Sequence, residues 1–429
     1  MSGEAAAAAP PGAGHAADLR QALAGQLAAD GWISTWWVRD AFRAVPREAF
    51  LPRGTPLTDA YGSREVAFTS AFRDGRRTVS VAAPWLQARM LAQAGVQPAM
   101  RVLQVGTCGC TAALLAEAAG PHGQVVSADP DPEVTAHARA ALNAAGYGQR
   151  VTLVTAPPRH GVPGHAPFDA IIVTGSVQDI QPCWTGQLGP GGTLVVPLRL
   201  GGVTRLAGLR CSGGHLASTS LQACDLAPAH WAGTAGVQAY VLRSPRGGQV
   251  RVQFEDDAPG GFEVSCRALG SEPASAWPGV TLASGEGFAD LPLWLAGRPG
   301  YCQVSAVEGA VLGRGLSGWW GRDWHPSGIT RGESIAILGL RPTGWTSPVT
   351  RELGAWAYGP DARQAADDLA TEILAWDRRG RSLPETALAY WPRGAGPGPA
   401  SPGSVVFEQA HGTTTITWPT DDRPTPGRN

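Results

Sequence analysis

The sequence predicts an α/β fold: a parallel-rich sheet with helices on both faces, preceded by a helical segment and followed by an α+β unit. Three observations carry this. Between Arg101 and Pro197, apolar runs rich in β-branched residues alternate with stretches of helical period. The first of those runs ends on a glycine turn, and an aspartate closes the second. After about Gly236 the alternation stops.

The elements follow in order. Residues 1–15 are Ala, Pro and Gly with almost no bulky side chains, so they are expected to be a disordered tail. Residues 16–95 are read as an N-terminal helical cap. Leu19, Leu23 and Leu27 share one helical face, and Gly31 is the expected stop. A second helix is expected from Thr35 to about Ala44, ending before Pro46. Residues 96–238 hold the alternating unit. "RVLQVG" is a strand entering a turn, "TAALLAEAAG" a helix stopping at Gly120, "QVVSAD" a strand, and "PEVTAHARAALNAAG" a helix. "RVTLVT", "FDAIIVTG" and "GPGGTLVVPL" supply further strands, with a short helix before the last. Residues 239–429 are read as a separate α+β domain. There "QVRVQFED" and "TTTITW" alternate as half-buried strands, and "DARQAADDLATEILAWDRRG" puts Ala366, Leu369, Ile373 and Trp376 on one face before Gly380. No period of 20–50 residues recurs.

Composition narrows the function. A chain of 429 residues has room for two or three domains, and 43% hydrophobic residues supply a core. Lys+Arg total 34 against 35 for Asp+Glu, so no net charge recruits nucleic acid or a membrane surface. The seven cysteines (108, 110, 183, 211, 224, 266 and 302) form no C-x-x-C pair, which argues against a disulfide scaffold and a zinc site. There is no secretory signal and no apolar run near the roughly 20 residues of a membrane helix, so a cytoplasmic enzyme without a metal is expected.

The cofactor expectation starts at the turn Gly106-Thr107-Cys108-Gly109-Cys110. A glycine turn after a strand lets backbone approach a ligand, and the next helix points its N-terminus at the same crevice. Asp129, 23 residues beyond Gly106, stands at the second strand's tip, where an acid reaches ribose hydroxyls. A dinucleotide fingerprint would read G-x-G-x-x-G, but Cys108 stands where its second glycine belongs. A ribose-bearing ligand without a pyrophosphate fits better, namely S-adenosylmethionine. Its candidate contacts are Val105, Gly106, Thr107, Cys108 and Gly109, with Asp129 and Pro130.

Several segments resemble protein-L-isoaspartate O-methyltransferases: "AFRAVPREAFLP", "RVLQVGT", "AALLAE", "HAPFDAIIVTGS" and "QLGPGGTLVVPL". "TVSVAAPWLQARML" sharpens that resemblance, and "LPLWLA", "GAWAYGP", "ILAWDRRGR" and "TTTITWP" resemble the long lanthipeptide-associated (FxLD-system) branch. The resemblance implies a Rossmann-like class I methyltransferase fold, S-adenosylmethionine as methyl donor with S-adenosylhomocysteine as product, and a peptide or protein carboxylate as acceptor. In the lanthipeptide branch that acceptor is an aspartate whose methyl ester closes to a succinimide and hydrolyses to isoaspartate. The rival acceptor is isoaspartate in damaged proteins, which would make the enzyme a repair enzyme. A further rival is a degenerate homologue that binds peptide without catalysis. Three departures from the family pattern stand out: cysteines in the glycine turn, Thr155-Ala156-Pro157-Pro158 where Asp-Gly approaches adenine, and two extra residues between Ser80 and Pro84.

A carboxylate is already ionised at neutral pH, so methyl transfer to it needs no general base. Thr78 and Ser80 are the candidate catalytic residues, as hydroxyls that orient the acceptor without a quenching charge. Trp85 is the candidate substrate contact. Blander readings attach to the rest. Cys108 and Cys110 are small buried residues, His160 and His165 surface histidines, and Asp169 a strand-start cap. Arg378, Arg379 and Arg381 suit a helix C-terminus. Trp319, Trp320, Trp324 and His325 are weighed as a peptide surface against core packing.

Overall fold

The computed structural model describes residues 13–64, 67–73, 76–224, 226, 228, 229, 231, 237–243, 249–255, 269, 271–307, 326–344, 350–396 and 403–419. Its side chains exclude those of residues 13, 67–73, 76–80, 243, 306 and 307. The aromatic group Trp319, Trp320, Trp324 and His325 lies outside the described residues.

The chain begins with α1 (Ala13–Ala29), α2 (Trp36–Ala44), a 3₁₀ turn (Arg47–Phe50) and α3 (Leu57–Ala60). A hairpin follows, β1 (Ala67–Arg73) and β2 (Arg76–Val81), then α4 (Pro84–Ala94). Helix α1 starts three residues inside the stretch expected to be tail, because alanines at 13, 16 and 17 favour helix. Leu23 and Leu27 are buried in one core with Val38, Phe42 and Leu86, and with Leu114 and Leu115 from the following unit. The N-terminal helices therefore cover the face of the main sheet.

That sheet is built from β3 (Arg101–Val105), α5 (Gly109–Ala119), β4 (Gln124–Asp129), α6 (Pro132–Ala144), β5 (Val151–Thr155) and β6 (Phe168–Val173). It continues through α7 (Pro182–Gln187), β7 (Leu188–Leu200), β8 (Val203–Ser212) and β9 (His215–Ala223). Strands β5-β4-β3-β6-β7 run parallel, and β8 and β9 add antiparallel strands beside β7. Along β3 and β6, Leu103, Val105, Ile171 and Val173 enter one core and Val102, Ala170 and Ile172 the other. Burial of both faces explains the continuous apolar runs. The chain moves outward from β3 through β4 to β5, then returns to β6 on β3's other side. The carboxyl ends of β3 and β6 thus form a switch point, where ligands of such sheets bind.

The second half forms an eight-stranded antiparallel sheet. It comprises β10 (Gln238–Arg243), β11 (Gln249–Phe254), β12 (Ala274–Ala276), β13 (Thr281–Leu282), α8 (Leu291–Ala296) and β14 (Tyr301–Val307). Then come β15 (Ser327–Arg331), β16 (Ser334–Pro342), β17 (Arg351–Tyr358) and α9 (Ala362–Arg378). Helix α9 buries Ala366, Leu369, Ile373 and Trp376 completely, as its spacing predicts, in the same core as Ile171 and Leu198.

The last three strands, β18 (Leu388–Pro392), β19 (Ser404–Glu408) and β20 (Gly412–Thr417), return to the first sheet in the order β9-β18-β20-β19. A break at 238/239 is therefore not a break between sheets. Alternation along "TTTITW" shows that one face is buried but not which strand is the neighbour. Without β18, β9 would present an unpaired edge.

Candidate functional site

The turn after β3 is locked from below. Gly106 has φ +86°, and a Cβ there would stand 2.9 Å from the Thr174 hydroxyl. The amide of Thr174 donates to the Val105 carbonyl at 2.9 Å, and its hydroxyl donates to the Gly106 carbonyl, joining the tips of β3 and β6. Buried Gln104 donates through Nε2 to the carbonyls of Gly106 (3.2 Å) and Cys108 (3.3 Å). Its Oε1 accepts from Ser127, which lies 3.1 Å from the Thr107 hydroxyl.

Asp129 closes the same network. It is 1% exposed. Its Oδ2 accepts from the Thr107 amide and its Oδ1 from the Asp131 amide, each at 2.9 Å. The carboxylate predicted to face a ribose thus also braces the turn. Pro130 begins the turn into α6, which Asp131 caps by accepting from Glu133 N at 2.9 Å.

The phenyl ring of Phe50 covers Gly109, where a Cβ would meet it at 3.0 Å. Buried Arg47 donates to Gln87 Oε1 (2.7 Å) and the Ala82 carbonyl (2.9 Å), and Gln87 donates to the Thr111 hydroxyl (2.8 Å). "VPREAF" is therefore a clamp that ties α4 and the exit of β2 to the start of α5. Beside it a shallow opening is lined by Phe50, Val81, Cys108, Val134 and Ala138, among others. Cys108, in this wall, and Cys110 are both free and buried. Burial pushes the Cys110 thiol up to about 11, against the pull of Arg47, so neither charge nor reactivity accrues there.

Beyond β6 the second half reaches the switch point. Residues 228 and 229 run across the loop after β6, with Pro228 bridged to Ser176 and the Ala229 amide donating to the Ser176 carbonyl at 2.9 Å. A Cβ on Gly175 would collide with Ala229 at 2.7 Å. The next residues of that loop are gripped from three places. Glu255, after β11, accepts from Gln178 (3.1 Å) and pairs with Arg199. Gln409 donates to the Gln178 carbonyl. Asp179 accepts from the Tyr390 hydroxyl (3.0 Å) and the His411 amide (2.6 Å), with His411 Nδ1 at 2.7 Å. Burial, with Asp179 beside it, holds the Tyr390 phenol well above its ordinary range, so it remains a donor.

Thr78 and Ser80 lie on β2, with Ser80 opposite Phe68; their side chains are outside the described set. Trp85 is half-buried in the first turn of α4, its ring 5.1 Å from that of Trp32. Asp169 does cap a strand: it accepts from the Arg101 amide, at the head of β3, at 2.7 Å. His160 and His165 are exposed. Arg379 and Arg381 do more than suit a dipole. Arg381 pairs with Asp377 and Glu286, and Arg379 donates to the Pro419 carbonyl. Among the described residues no group of three or more His, Cys, Asp or Glu is placed to hold a metal, and no helix is long and apolar enough to cross a membrane.

Sequence reasoning missed Gln104, Ser127, Thr174, Asp179 and Trp231. The first three carry a local signal, polar residues at inward positions of buried strands or at a strand tip. The other two carry none.

Comparison with known proteins gives a consistent answer for the first half. Residues 18–229 match the family described as protein-L-isoaspartate(D-aspartate) O-methyltransferase. The chain is 33% identical over 197 residues to a protein-L-isoaspartate O-methyltransferase of Hyperthermus butylicus, covering 42% of this chain and 75% of that protein. It is 34% identical over 224 residues to that of Koribacter versatilis, covering 52% and 95%. A solved protein-L-isoaspartate O-methyltransferase aligns over 86% of this chain and 95% of its own at 18% identity and TM-score 0.47, too loose a superposition to say anything of the site.

Proposed function

This chain belongs to the protein-L-isoaspartate O-methyltransferase family and is an S-adenosylmethionine-dependent methyltransferase of proteins or peptides; on that premise we propose that its acceptor is an aspartate in a ribosomally made, lanthipeptide-type peptide. The methyl ester then closes on the next backbone nitrogen to a succinimide, releasing methanol, and water opens the ring to isoaspartate.

The residues present fit the cofactor. Gly106 makes room that a Cβ would fill, a buried indole N–H of Trp231 beside it lacks an acceptor among the described residues, and the Asp129 carboxylate stands at the tip of β4. In this reading Val105 to Gly109 hold the methionine end, and Asp129 with Pro130 the ribose. When bound, the cofactor supplies an electrophilic methyl on a sulfonium. The chain's own work is alignment and exclusion of water, and alignment is worth about 7–11 kcal/mol in effective molarity. Thr78 and Ser80 are proposed to orient the acceptor carboxylate, and Trp85 to contact the peptide.

One observation supports a dedicated peptide over general repair: the loop after β6, at the switch point, is held by Glu255, Tyr390, Gln409 and His411, all beyond the segment matched by the family. That half adds strands to the catalytic sheet itself, so trimming the chain at residue 240 would strip an edge rather than ask a question of specificity. The test uses the whole chain. Full-length enzyme is incubated with S-adenosylmethionine and candidate precursor peptides and followed by mass spectrometry. The expected course is gain of a methyl, loss of the elements of methanol, and return to the starting mass as isoaspartate. Methylation confined to isoaspartyl residues of aged proteins would establish the repair reading instead.

A further inference from the structure

We propose that Trp231 is a positioning residue of this site: its indole N–H, at the Gly106–Thr174 end of the crevice, donates to a carboxylate of a bound ligand. The inference rests on the methyltransferase reading and deepens it.

The indole Nε1 is buried without a hydrogen-bond partner and lies 3.8 Å from where a Cβ on Gly106 would stand. An indole is a donor only, and a buried donor left without an acceptor is costly. The neighbouring polar groups are already engaged. The Gly106 amide donates to the Ala128 carbonyl, and the Thr174 hydroxyl donates to the Gly106 carbonyl, 3.2 Å also from that of Val105. Among the described residues none accepts from this indole, and a ligand in the crevice would supply the acceptor. The ring is held for the purpose. It packs edge-on against Trp184, centroids 6.3 Å apart, and Trp184 is itself anchored by donating to the Pro158 carbonyl at 3.0 Å. The Pro228–Ser176 bridge fixes the backbone leading to it.

Chemistry chooses a carboxylate. Asp129 stands on the β4 side of β3, and Trp231 on the β6 side, away from any ribose that Asp129 holds. Two carboxylates enter this reaction: that of the cofactor's methionyl end and that of the acceptor aspartate. A neutral donor suits either, since it aligns an oxygen without neutralising it. Trp231 lies just past residue 229, where the family match ends.

The test is calorimetry on the full chain with S-adenosylhomocysteine and with methylthioadenosine, which lacks the amino-acid carboxylate. If the partner is the cofactor, Trp231→Phe weakens S-adenosylhomocysteine by about tenfold or more and leaves methylthioadenosine unchanged. If it is the acceptor, both nucleosides bind as before and KM for the aspartyl peptide rises by a similar factor. Loss of neither overturns the proposal. Wild-type protein is read in parallel by NMR of its indole N–H groups, so a folding defect in the variant does not decide the matter. The signal missing from Trp231→Phe moves downfield on adding S-adenosylhomocysteine in the first case and peptide in the second, and its failure to move with either refutes the assignment. Wild-type protein that binds no S-adenosylhomocysteine would overturn the underlying methyltransferase reading, a distinct result that takes this inference with it.

Discussion

Replacing Asp129 with asparagine separates two jobs that a single carboxylate performs at the tip of β4. With 1% exposure, its Oδ2 receives the Thr107 amide and its Oδ1 the Asp131 amide, both at 2.9 Å. An asparagine presents one oxygen and one NH₂, so one backbone N–H must face another donor. The side chain turns its oxygen toward buried Thr107 and its NH₂ toward Asp131, where the backbone is only partly buried and water relieves some of the cost. Losing one hydrogen bond to a charged group costs about 1.5–3 kcal/mol, and stranding an N–H adds about 1–3 if fully buried. With the relief at Asp131, the net is about 2–3 kcal/mol. In urea, with a slope of roughly 1–3 kcal/mol per molar, the unfolding midpoint should fall by about 1 M. Circular dichroism of cofactor-free wild-type and variant protein measures it. An unchanged midpoint, with weaker S-adenosylhomocysteine binding, would show that Asp129 serves the ligand alone and that the bracing argument is wrong.

Three further outcomes are expected. The Cys110 thiol is raised from 9.0 to about 11 by burial, so between those values the folded chain holds a proton that the unfolded chain has lost. That contribution to stability is complete below about pH 9 and is lost as the pH climbs toward 11, as urea midpoints across the range should record; at pH 8 iodoacetamide followed by mass mapping should label exposed Cys211 and spare Cys108, Cys110 and Cys302 until urea is added. Gly175→Ala drives a methyl into Ala229 at 2.7 Å and should cost about 1–3 kcal/mol in a urea titration, whereas Gly186→Ala, in α7 with open space around it, should raise stability by about 0.5–1 kcal/mol. Tyr390→Phe should cost about 1–2 kcal/mol, a penalty that shrinks in an Asp179→Ala background, where the hydroxyl keeps only the Ile180 carbonyl at 3.2 Å; equal penalties in both backgrounds would mean the Tyr390–Asp179 bond is energetically silent.

The alternating unit was legible in the sequence because each of its strands is buried on both faces and leaves an unbroken apolar run. Its helix α5 was legible because Gly120 follows the last turn at positive φ, as Gly380 does after α9 in the second half. The cofactor turn could be located from Gly106 and the distance to Asp129. Its bracing could not, since Gln104 and Ser127 stand out as polar residues at buried strand positions but do not name their partners. The grip on the loop after β6 was beyond reach for a plainer reason. Asp179 and His411 are 232 residues apart, and no local pattern couples them. The long β8–β9 hairpin was likewise unread, and so was Trp231, which sits in a Pro- and Ala-rich stretch with no periodicity to set it off.

The return of β18 to β9 also governs how this protein is born. Ser218 on β9 donates to the Glu385 carbonyl at 2.7 Å and accepts from the Leu388 amide at 3.0 Å, so the sheet is sealed by residues that leave the ribosome about 165 positions after β9 itself. At about 5–20 residues per second, translation leaves that seam open for roughly 8–33 seconds. A nascent chain that already holds its glycine turn and its aspartate must wait, with a bare strand edge exposed, for a closure contributed by residues far downstream.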